Sequence, residues 1–361
     1  MTGMREAILL VGGQGTRLRP LTLGTPKPML PVAGVPVTVH QIERARDAGV
    51  DRVVLGTSYR AEVFAEQLGD GSDLGVEIAY AVEDEPLGTG GAIRHAAAHL
   101  RSGPDDPVMV LNGDVLSGVD YAALVDAHLL ADAAVTLHLV RVADPTAYGL
   151  VPTESDGRVI AFREKPSRPE EIVTDQINAG CYVFRRSVID AIPADRPVSV
   201  ERETFPGLLA EGAVLQGVID DSYWLDLGTP WDFVRGSADL VRGIAPWHGH
   251  APAEVLILDG AEVAIDATVR GGTTVGRGAR IGAGACIDGS VLLDGAVIAP
   301  GATIVDSVIG AGAYVGDDAV LREVVIGDRA RLGRDVELLS GARIWPDVVI
   351  PDGAVRFSTD A

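Results

Sequence analysis

The chain has 361 residues, of which 47% are hydrophobic and 22% are charged, and its formal net charge is −21. This length exceeds what one ordinary hydrophobic core organises, so we expect two domains. The negative charge argues against a surface that binds nucleic acid or an anionic membrane, because such surfaces carry basic patches. A phosphate site remains compatible with this charge, because it needs only local cations.

The ends and the cysteines bear on the compartment. No charged-then-apolar leader precedes the first predicted strand, and no apolar run reaches the length that crosses a bilayer. Cys181 and Cys286 lie far apart among apolar residues, which favours two small core side chains over a disulfide, although a pairing stays open. We expect a cytoplasmic protein with no membrane partner.

The first predicted element is a buried strand over residues 7–11, and it leads into the glycine-rich loop 12–15. Glycines allow backbone N–H groups to close on an anion, and Arg17 and Lys27 add positive charge. Lys27 stands between two prolines, which restrict its backbone. A basic surface turn is the alternative, but these features favour a phosphate site.

This loop differs from the two common nucleotide loops. A P-loop would have Gly-Lys-Ser/Thr at its end, whereas Thr16 and Arg17 follow Gly15 here. A dinucleotide fingerprint would have a further glycine where Leu18 stands. The sequence therefore predicts a nucleotide-phosphate site of another kind.

Apolar strands alternate with helical patterns up to about residue 240, which predicts an α/β layered sheet. The predicted strands cover 7–11, 53–56, 108–111 and 133–142, and the predicted helices cover 37–48, 91–100 and 121–131. Ligands bind beyond the carboxyl ends of strands in such sheets. The polar residues that follow the strands are therefore expected to converge.

Two of those polar residues are candidate metal ligands. Asp114 ends the turn Asn112-Gly113-Asp114 after an apolar strand, and Asp226 lies in the middle of a short apolar strand predicted over residues 222–230. A carboxylate at a sheet edge can hold a hard cation. Residues 112–114 alone fit an ordinary turn slightly better. A buried acid such as Asp226 needs a partner, which shifts the balance toward a metal.

The last third of the chain has another period. Apolar residues recur every six positions, and Leu292, Ile309 and Ile326 are seventeen apart because one step in three is five. This spacing predicts a β-helix of three-sided coils, which known hexapeptide repeats build with a left-handed turn. Glycine follows many of the apolar positions, and we expect it there for an unusual φ angle. These glycines are Gly276, Gly282, Gly310, Gly316, Gly327 and Gly333.

A linker rich in proline and glycine over residues 243–250 separates the two patterns. We therefore expect a catalytic domain over residues 1–245 and a β-helix domain over residues 251–361. The second region contains no histidine, which argues against a hexapeptide-type acyltransferase. An apolar cluster near its C-terminal end, residues 338–350, predicts a homo-oligomer assembled through the β-helix.

Residues 12–22 and 26–31 together resemble the signature of the sugar-1-phosphate nucleotidyltransferases. The resemblance extends from the first strand to the C-terminus, and it is greatest to the bacterial members that use GTP and mannose 1-phosphate. It implies a Rossmann-like mixed sheet followed by the β-helix. It also implies an enzyme that joins a nucleotide to a sugar 1-phosphate, releases pyrophosphate and uses Mg²⁺.

The resemblance implies roles for particular residues. Arg17 and Lys27 would act in catalysis, and Asp114 and Asp226 would hold Mg²⁺. The nucleotide would contact Val11, Gly12, Gly13, Gly15, Thr16, Arg17, Lys27, Glu85, Gly88, Thr89 and Asp114. The sugar phosphate would contact Asn112, Gly149, Glu164, Lys165 and Asn178.

The base is predicted from the loop 85–91, which reads Glu-Pro-Leu-Gly-Thr-Gly-Gly. Guanylyl-transferring relatives often share this pattern, and a carboxylate can accept hydrogen bonds from guanine. Glu85 is the expected acceptor, with Glu83 and Asp84 as neighbouring alternatives. Two other interpretations stay open, namely glucose 1-phosphate with ATP, dTTP or UTP, and a non-catalytic regulatory or scaffold relative.

Overall fold

The computed structural model describes residues 5–164, 168–194, 196–246 and 249–355. The chain forms two compact units. One consists of Met1–Gly13 and Thr38–Trp224, and the other of Gln14–Val37 and Leu225–Ala361. The second unit thus combines an N-terminal segment with the C-terminal part of the chain.

The elements up to residue 246 follow in chain order. The strands are β1 (Glu6–Leu10), β2 (Pro31–Val32), β3 (Val35–Pro36), β4 (Arg52–Thr57), β5 (Glu77–Val82), β6 (Pro107–Asn112), β7 (Val115–Ser117), β8 (Val135–Arg141), β9 (Gly149–Leu150), β10 (Arg163–Glu164), β11 (Gln176–Arg185), β12 (Leu215–Ile219) and β13 (Trp224–Asp226). The α-helices are α1 (Val37–Asp47), α2 (Ala61–Leu68), α3 (Gly88–Ala96), α4 (Tyr121–Leu130), α5 (Arg186–Asp190), α6 (Phe205–Ala210) and α7 (Pro230–Val241). Short 3₁₀ turns include Thr16–Leu18, Leu21–Leu23 and Lys27–Met29.

The first unit is built on a mixed sheet. Its strand order is β10-β9-β11-β6-β1-β4-β5, with β8 beside β11 and β12 beside β8. β1 pairs in parallel with β4 and β6, whereas β11 runs antiparallel to both β6 and β8. Fully buried apolar side chains from these strands form its core, among them Ile8, Val54, Val110, Leu137 and Tyr182. The predicted α/β fold is confirmed.

Most predicted boundaries in this part of the chain are correct to within one or two residues. The largest difference is α3, which begins at Gly88 where we expected residue 91. The amides of Gly90 and Gly91 both donate to the carbonyl of Val198, so a distant segment orders the glycine-rich loop as a first helical turn. Asp226 ends its strand and does not lie in the middle of it.

The strands after residue 250 form a parallel β-helix. They are β14 (Val255–Ile257), β15 (Glu262–Val263), β16 (Thr268–Arg270), β17 (Thr273–Val275), β18 (Arg280–Ile281), β19 (Cys286–Asp288), β20 (Val291–Leu292), β21 (Val297–Ile298), β22 (Thr303–Val305), β23 (Val308–Ile309), β24 (Tyr314–Val315), β25 (Val320–Arg322), β26 (Val325–Ile326), β27 (Arg331–Leu332), β28 (Glu337–Leu338), β29 (Arg343–Ile344) and β30 (Val349–Ile350). Every third strand belongs to the same sheet, which gives three stacked parallel sheets.

The predicted period is confirmed by the strand register. Leu292 pairs with Ile309, and Ile309 pairs with Ile326, each seventeen residues on. The end coils are longer, since Val263 pairs with Ile281 and Ile326 pairs with Ile344. The inward-facing residues are buried and fill the coil axis.

The glycines that follow the apolar positions have a different purpose from the one expected. Gly276 and its equivalents do not adopt the positive φ angles predicted for them. A methyl group at Gly276 would instead lie 2.5 Å from the carbonyl carbon of Leu293 in the next coil. The residue two positions on carries the positive φ, as at Gly278 (63°) and Asp318 (56°). Close stacking of coils therefore explains these glycines.

Hydroxyl groups line the corner where five residues replace six. Thr273, Ser290 and Ser307 are buried, and the Oγ of each serine accepts from the amide of the next coil, Ser307 and Val324 respectively. The Oγ1 of Thr273 accepts in the same way from the amide of Ser290. This ladder satisfies buried amides that would otherwise lack a partner at the shortened corner.

The cysteines are both free thiols. Cys181 is buried, as expected for a core side chain, and burial raises the pKa of its thiol to about 12. Cys286 is partly exposed, so the expectation of a core position is wrong for this residue. Its strand β19 lies on a coil whose outward positions face solvent.

Candidate functional site

Lys27 is a buried cation held by its local backbone. It begins the 3₁₀ turn Lys27–Met29, and the residue is 8% exposed. Its Nζ lies 3.6 Å from Oδ1 of Asp226. Gly15 has a φ of 57°, and a methyl group there would lie 2.8 Å from Cβ of Lys27. Position 15 therefore requires glycine for two reasons, namely its positive φ angle and the closeness of the aliphatic part of the Lys27 side chain.

Arg17 belongs to the same unit as Lys27. It lies in the exposed 3₁₀ turn that begins at Thr16. A methyl group at Gly228 would lie 2.9 Å from Nη2 of Arg17, so the guanidinium passes close over the backbone that follows Asp226. The structure therefore brings Arg17, Lys27 and Asp226 to one region of the second unit.

The first unit places Val11, Gly12 and Asn112 at the carboxyl ends of β1 and β6. The amide of Gly113 donates to the carbonyl of Leu10 at 2.8 Å, and a methyl group at Gly113 would lie 2.6 Å from that oxygen. Only glycine fits between the two strand ends, which sets the position of the neighbouring Asp114. The expected convergence of these two strand ends is confirmed.

Two residues that support these strand ends were not predicted. Nε2 of Gln41 donates to the carbonyls of Asn112 (2.7 Å) and Val115 (3.0 Å), so α1 holds the turn that carries Asp114. Oγ of Ser58 donates to the carbonyl of Gly12 at 2.7 Å. Gln41 lies within an ordinary helical pattern, and no local signal distinguishes it from a solvated glutamine. Gly13 is exposed, with open space at its Cα.

The second glycine-rich loop is held by a segment more than a hundred residues away. Oγ1 of Thr89 donates to Oε2 of Glu201 at 2.8 Å and accepts from the amide of Val200 at 3.0 Å. Oγ of Ser199 also donates to Glu201. Gly88 has a φ of 70°, and a methyl group there would lie 2.6 Å from the carbonyl of Val198. We did not predict Glu201, whose Ser-Val-Glu sequence context carries no distinctive pattern.

The acids of this loop differ in their surroundings. Glu83 is partly buried, and its Oε2 accepts from the amide of Leu87 at 3.1 Å. Burial raises the pKa of the Glu83 carboxyl. Glu85 is exposed and so is accessible to a ligand. Glu83 therefore supports the loop, which leaves Glu85 and Asp84 as the candidates for a base contact.

Three of the predicted sugar-binding residues, Gly149, Glu164 and Asn178, lie on paired strands of the sheet. Glu164 on β10 pairs with Gly149 on β9, and Ile177 on β11 pairs with Leu150. Asn178 follows Ile177 directly. Its Nδ2 donates to Oη of Tyr182 at 2.7 Å, and its Oδ1 accepts from the backbone amide of Gly180 at 3.1 Å. Lys165 lies outside the described residues.

Asn112 joins this group. Gly180 has a φ of 77°, and a methyl group there would lie 2.6 Å from Nδ2 of Asn112. Tyr148 makes an edge-on contact with Trp224, and the indole N–H donates to the carbonyl of Ala179 at 2.9 Å. Polar side chains beside aromatic rings are typical of a small-molecule site.

Asp114 and Asp226 are the two residues predicted to hold Mg²⁺. Both offer carboxylate oxygens, which are the ligands that this hard cation prefers, and neither is a fully exposed side chain. Within residues 5–164, 168–194, 196–246 and 249–355, no three His, Cys, Asp or Glu side chains form a metal-binding group. Mg²⁺ commonly takes only one or two protein carboxylates and completes its shell with phosphates and water. The residues present therefore fit Mg²⁺.

The part of the chain that the structure describes has no helix long and apolar enough to cross a membrane.

The Nucleotidyl transferase family model matches residues 6–243, and the GMPPB C-terminal domain model matches residues 251–358. The chain is 56% identical to a mannose-1-phosphate guanylyltransferase of Mycobacterium tuberculosis, over 98% of both chains. It is 37% identical to a mannose-1-phosphate guanyltransferase of Candida albicans, over 98% of this chain and 99% of the other.

A solved structure shares the first part of the fold. It is HddC from Yersinia pseudotuberculosis, complexed with GMP-PN, with 28% identity and a TM-score of 0.56 over 66% of this chain and 100% of that one. The match of the family model to most of the chain, together with the extent of these identities, decides the classification. The chain belongs to the nucleotidyl transferase family.

Proposed function

We propose that this chain transfers the guanylyl group of GTP to mannose 1-phosphate, giving GDP-mannose and pyrophosphate. The observation that carries the proposal is the 56% identity to the Mycobacterium tuberculosis mannose-1-phosphate guanylyltransferase over 98% of both chains. Identity of that extent covers both units. The cations and carboxylates predicted for this chemistry are present in both units as well.

A phosphate oxygen of mannose 1-phosphate attacks the α-phosphorus of GTP and forms the new P–O bond. The bond between the α-phosphorus and the oxygen bridging to the β-phosphate breaks, and pyrophosphate leaves with the electron pair. The attacking oxygen is already ionised at neutral pH, so no strong base is needed. The work of the protein is therefore positioning and charge neutralisation.

Arg17 and Lys27 supply the charge. Arg17 is exposed and binds the β- and γ-phosphates in this proposal, whereas Lys27 binds the α-phosphate and the negative charge that develops there. Burial of Lys27 supports this role, because a desolvated cation interacts with an anion more strongly than a solvated one. Val11, Gly12, Gly13, Gly15 and Thr16 contribute their backbone to the same phosphate site.

Asp114 and Asp226 hold Mg²⁺ in this proposal. Mg²⁺ held there would supply positive charge against the phosphate oxygens. Gly113, by its close approach to Leu10, keeps Asp114 at the carboxyl end of β6.

The two substrates are recognised by separate sets of residues. Gly149, Glu164, Lys165, Asn178 and Asn112 bind mannose 1-phosphate in this proposal, with Lys165 on its phosphate and Glu164 on its hydroxyls. Pairing of Glu164 with Gly149 supports this grouping. Glu85, Gly88 and Thr89 bind the guanosine, and the exposed carboxylate of Glu85 accepts from the guanine N1–H and N2–H₂.

A grid of nucleotides against sugar 1-phosphates tests the proposal. GTP, ATP, dTTP and UTP are each combined with mannose 1-phosphate and glucose 1-phosphate, and pyrophosphate release is measured with Mg²⁺ present. We expect the highest kcat/KM for GTP with mannose 1-phosphate, at least about tenfold above every other nucleotide. A maximum for dTTP or ATP with glucose 1-phosphate would assign the chain to another substrate pair. Absence of pyrophosphate release from every pair would favour a non-catalytic relative.

A further inference from the structure

Arg343 connects the β-helix to the loop that carries Arg17, and both residues belong to the second unit. It lies on β29, and its Nη1 donates to the carbonyls of Arg17 and Arg19, each at 2.8 Å. Nη1 carries two hydrogens, so each carbonyl receives one. The two carbonyls flank Leu18, whose side chain is buried. A side chain more than three hundred residues away thus binds the backbone on both sides of Leu18.

The loop also has hydrogen bonds of its own, among them one from Oγ1 of Thr22 to the carbonyl of Gly15 at 2.9 Å. Its 3₁₀ turn is three residues long, with amide bonds from Leu18 to Gly15 (3.0 Å) and from Arg19 to Thr16 (3.2 Å). The last carbonyls of any helical turn lack partners within it, and a cation is favourable at that end. Arg343 supplies donors and a cation at that end of the turn.

Arg343 itself is not packed into a core. It is exposed, and it lines a cavity of about 380 Å³ together with Trp231, Asp306 and Glu323. Burial and the neighbouring carboxylates of Asp288 and Glu323 raise the pKa of the Asp306 carboxyl. The hydrogen bonds that the structure describes for this guanidinium are the two to the carbonyls of Arg17 and Arg19.

We propose that Arg343 is a positioning residue for nucleotidyl transfer, which orients Arg17 toward the nucleotide phosphates by holding the carbonyls of Arg17 and Arg19. The proposal rests on the phosphate role given to Arg17 in the proposed function. In this proposal the β-helix contributes to catalysis by positioning Arg17.

Hydrogen–deuterium exchange of the ligand-free full-length chain tests the contact directly. We expect Arg343→Ala to accelerate exchange of the amides of residues 16–19 at least about fivefold, because it removes two charge-assisted bonds to the turn. Arg343→Lys should restore part of the protection. The control is Arg331→Ala, since Arg331 is an exposed arginine of the same β-helix that contacts Tyr314. Unchanged exchange in Arg343→Ala would overturn the proposal.

A double-mutant cycle tests the effect on catalysis. We expect Arg343→Ala to lower kcat about tenfold with GTP and mannose 1-phosphate, and to change the KM for mannose 1-phosphate less than twofold. In the Arg17→Ala background the same substitution should change kcat less than twofold, because it acts through Arg17. Equal losses in both backgrounds, or an equal loss in Arg331→Ala, would overturn the proposal.

The two proposals fail in different ways. If the wild-type chain releases no pyrophosphate from GTP and mannose 1-phosphate, the proposed function fails, while the exchange of residues 16–19 still decides whether Arg343 holds the loop. If the wild-type chain is active and Arg343→Ala leaves both exchange and kcat unchanged, only the inference about Arg343 fails.

Discussion

Nζ of Lys27 lies 3.6 Å from Oδ1 of Asp226, and the lysine side chain is only 10% exposed. A buried charge is costly unless an opposite charge lies close to it. Asp226 provides that anion in the ligand-free protein. In the proposed function, the triphosphate of GTP would bring further negative charge to Lys27.

Removal of either phosphate-binding cation should impair the chemical step. We expect Lys27→Ala and Arg17→Ala each to lower kcat at least about a hundredfold, which is the usual size of a lost charge-stabilising group. Steady-state kinetics with GTP and mannose 1-phosphate measure the change. Arg329→Ala is the matched control, because it removes an arginine paired with Asp347 on the β-helix. Near-normal turnover in either variant would remove that residue from the mechanism.

The metal assignment predicts an altered Mg²⁺ requirement. We expect Asp114→Asn and Asp226→Asn each to raise the Mg²⁺ concentration for half-maximal activity at least about tenfold, since a hard cation loses an ionic oxygen ligand. A titration of activity with Mg²⁺ gives the value, and Asp266→Asn, at an exposed acid of the β-helix, serves as the control. Equal activity of the wild type in EDTA and in Mg²⁺ would show that neither aspartate serves a metal.

Substitution of Glu201 should weaken the binding of GTP and leave the binding of mannose 1-phosphate unchanged. We expect Glu201→Gln to raise the KM for GTP about tenfold, because the hydrogen bond from Thr89 to a carboxylate becomes one to a neutral amide. The KM for mannose 1-phosphate should stay within twofold. Thr89→Ser should retain function and Thr89→Val should lose it, whereas Glu211→Gln, at an exposed acid beyond α6, should have no effect. A rise in both KM values together would indicate general damage to the fold.

Acid should destabilise the protein through His138. This residue is fully buried, its Nε2 lies 3.5 Å from Oδ2 of Asp220, and burial lowers the pKa of its imidazole to about 4. Asp220 opposes that shift and Arg44 adds to it. The unfolded chain binds the proton near pH 6.5, so this stabilisation is complete above that pH and is lost as pH falls toward 4.

Urea unfolding of the wild type and of His138→Met measures this effect. Between pH 7 and pH 5 we expect the free energy of unfolding of the wild type to fall about 2 kcal/mol more than that of the variant, at about 1.4 kcal/mol per pH unit below 6.5. His128→Met is a useful second variant, because burial also lowers the pKa of His128 to about 4. Parallel pH profiles for the wild type and His138→Met would contradict the assignment.

The C-terminal coils should form the oligomer interface. Of the apolar cluster expected there, Leu338 is buried, whereas Trp345, Val348 and Val349 are 46%, 39% and 66% exposed. Exposed apolar side chains grouped on one surface usually mark an interface. We expect a homodimer at tens of micromolar, and Trp345→Glu with Val349→Glu should shift it to monomer. Light scattering measures the mass, and a monomeric wild type would exclude this interface.

The periodicity of apolar residues allowed the strands and coils to be predicted. The spacing of these residues along the chain follows directly from which side chains of a strand or coil are buried. The parallel strands β1, β4 and β6 were recognisable as short apolar runs. The seventeen-residue coil was recognisable from Leu292, Ile309 and Ile326. Site residues came from the resemblance, because a glycine loop with two cations fits several kinds of phosphate site.

The error at the β-helix glycines shows where local reasoning ends. A glycine in sequence permits both an unusual φ angle and a close contact, and only neighbouring chain decides which one applies. At Gly276 the next coil decides it, since its backbone leaves no room for a methyl group.

The sequence by itself determined the α/β sheet and the coil period, because each depends on residues close together in the chain. Only the tertiary structure decided that Glu201 holds Thr89 and that Arg343 holds the carbonyls of Arg17 and Arg19. Glu201 and Thr89 are 112 positions apart in the chain, and Arg343 and Arg17 are more than 300 positions apart. The physical reason is that a hydrogen bond depends on where a donor and an acceptor meet in space, and no local pattern records which distant side chain will reach a given carbonyl.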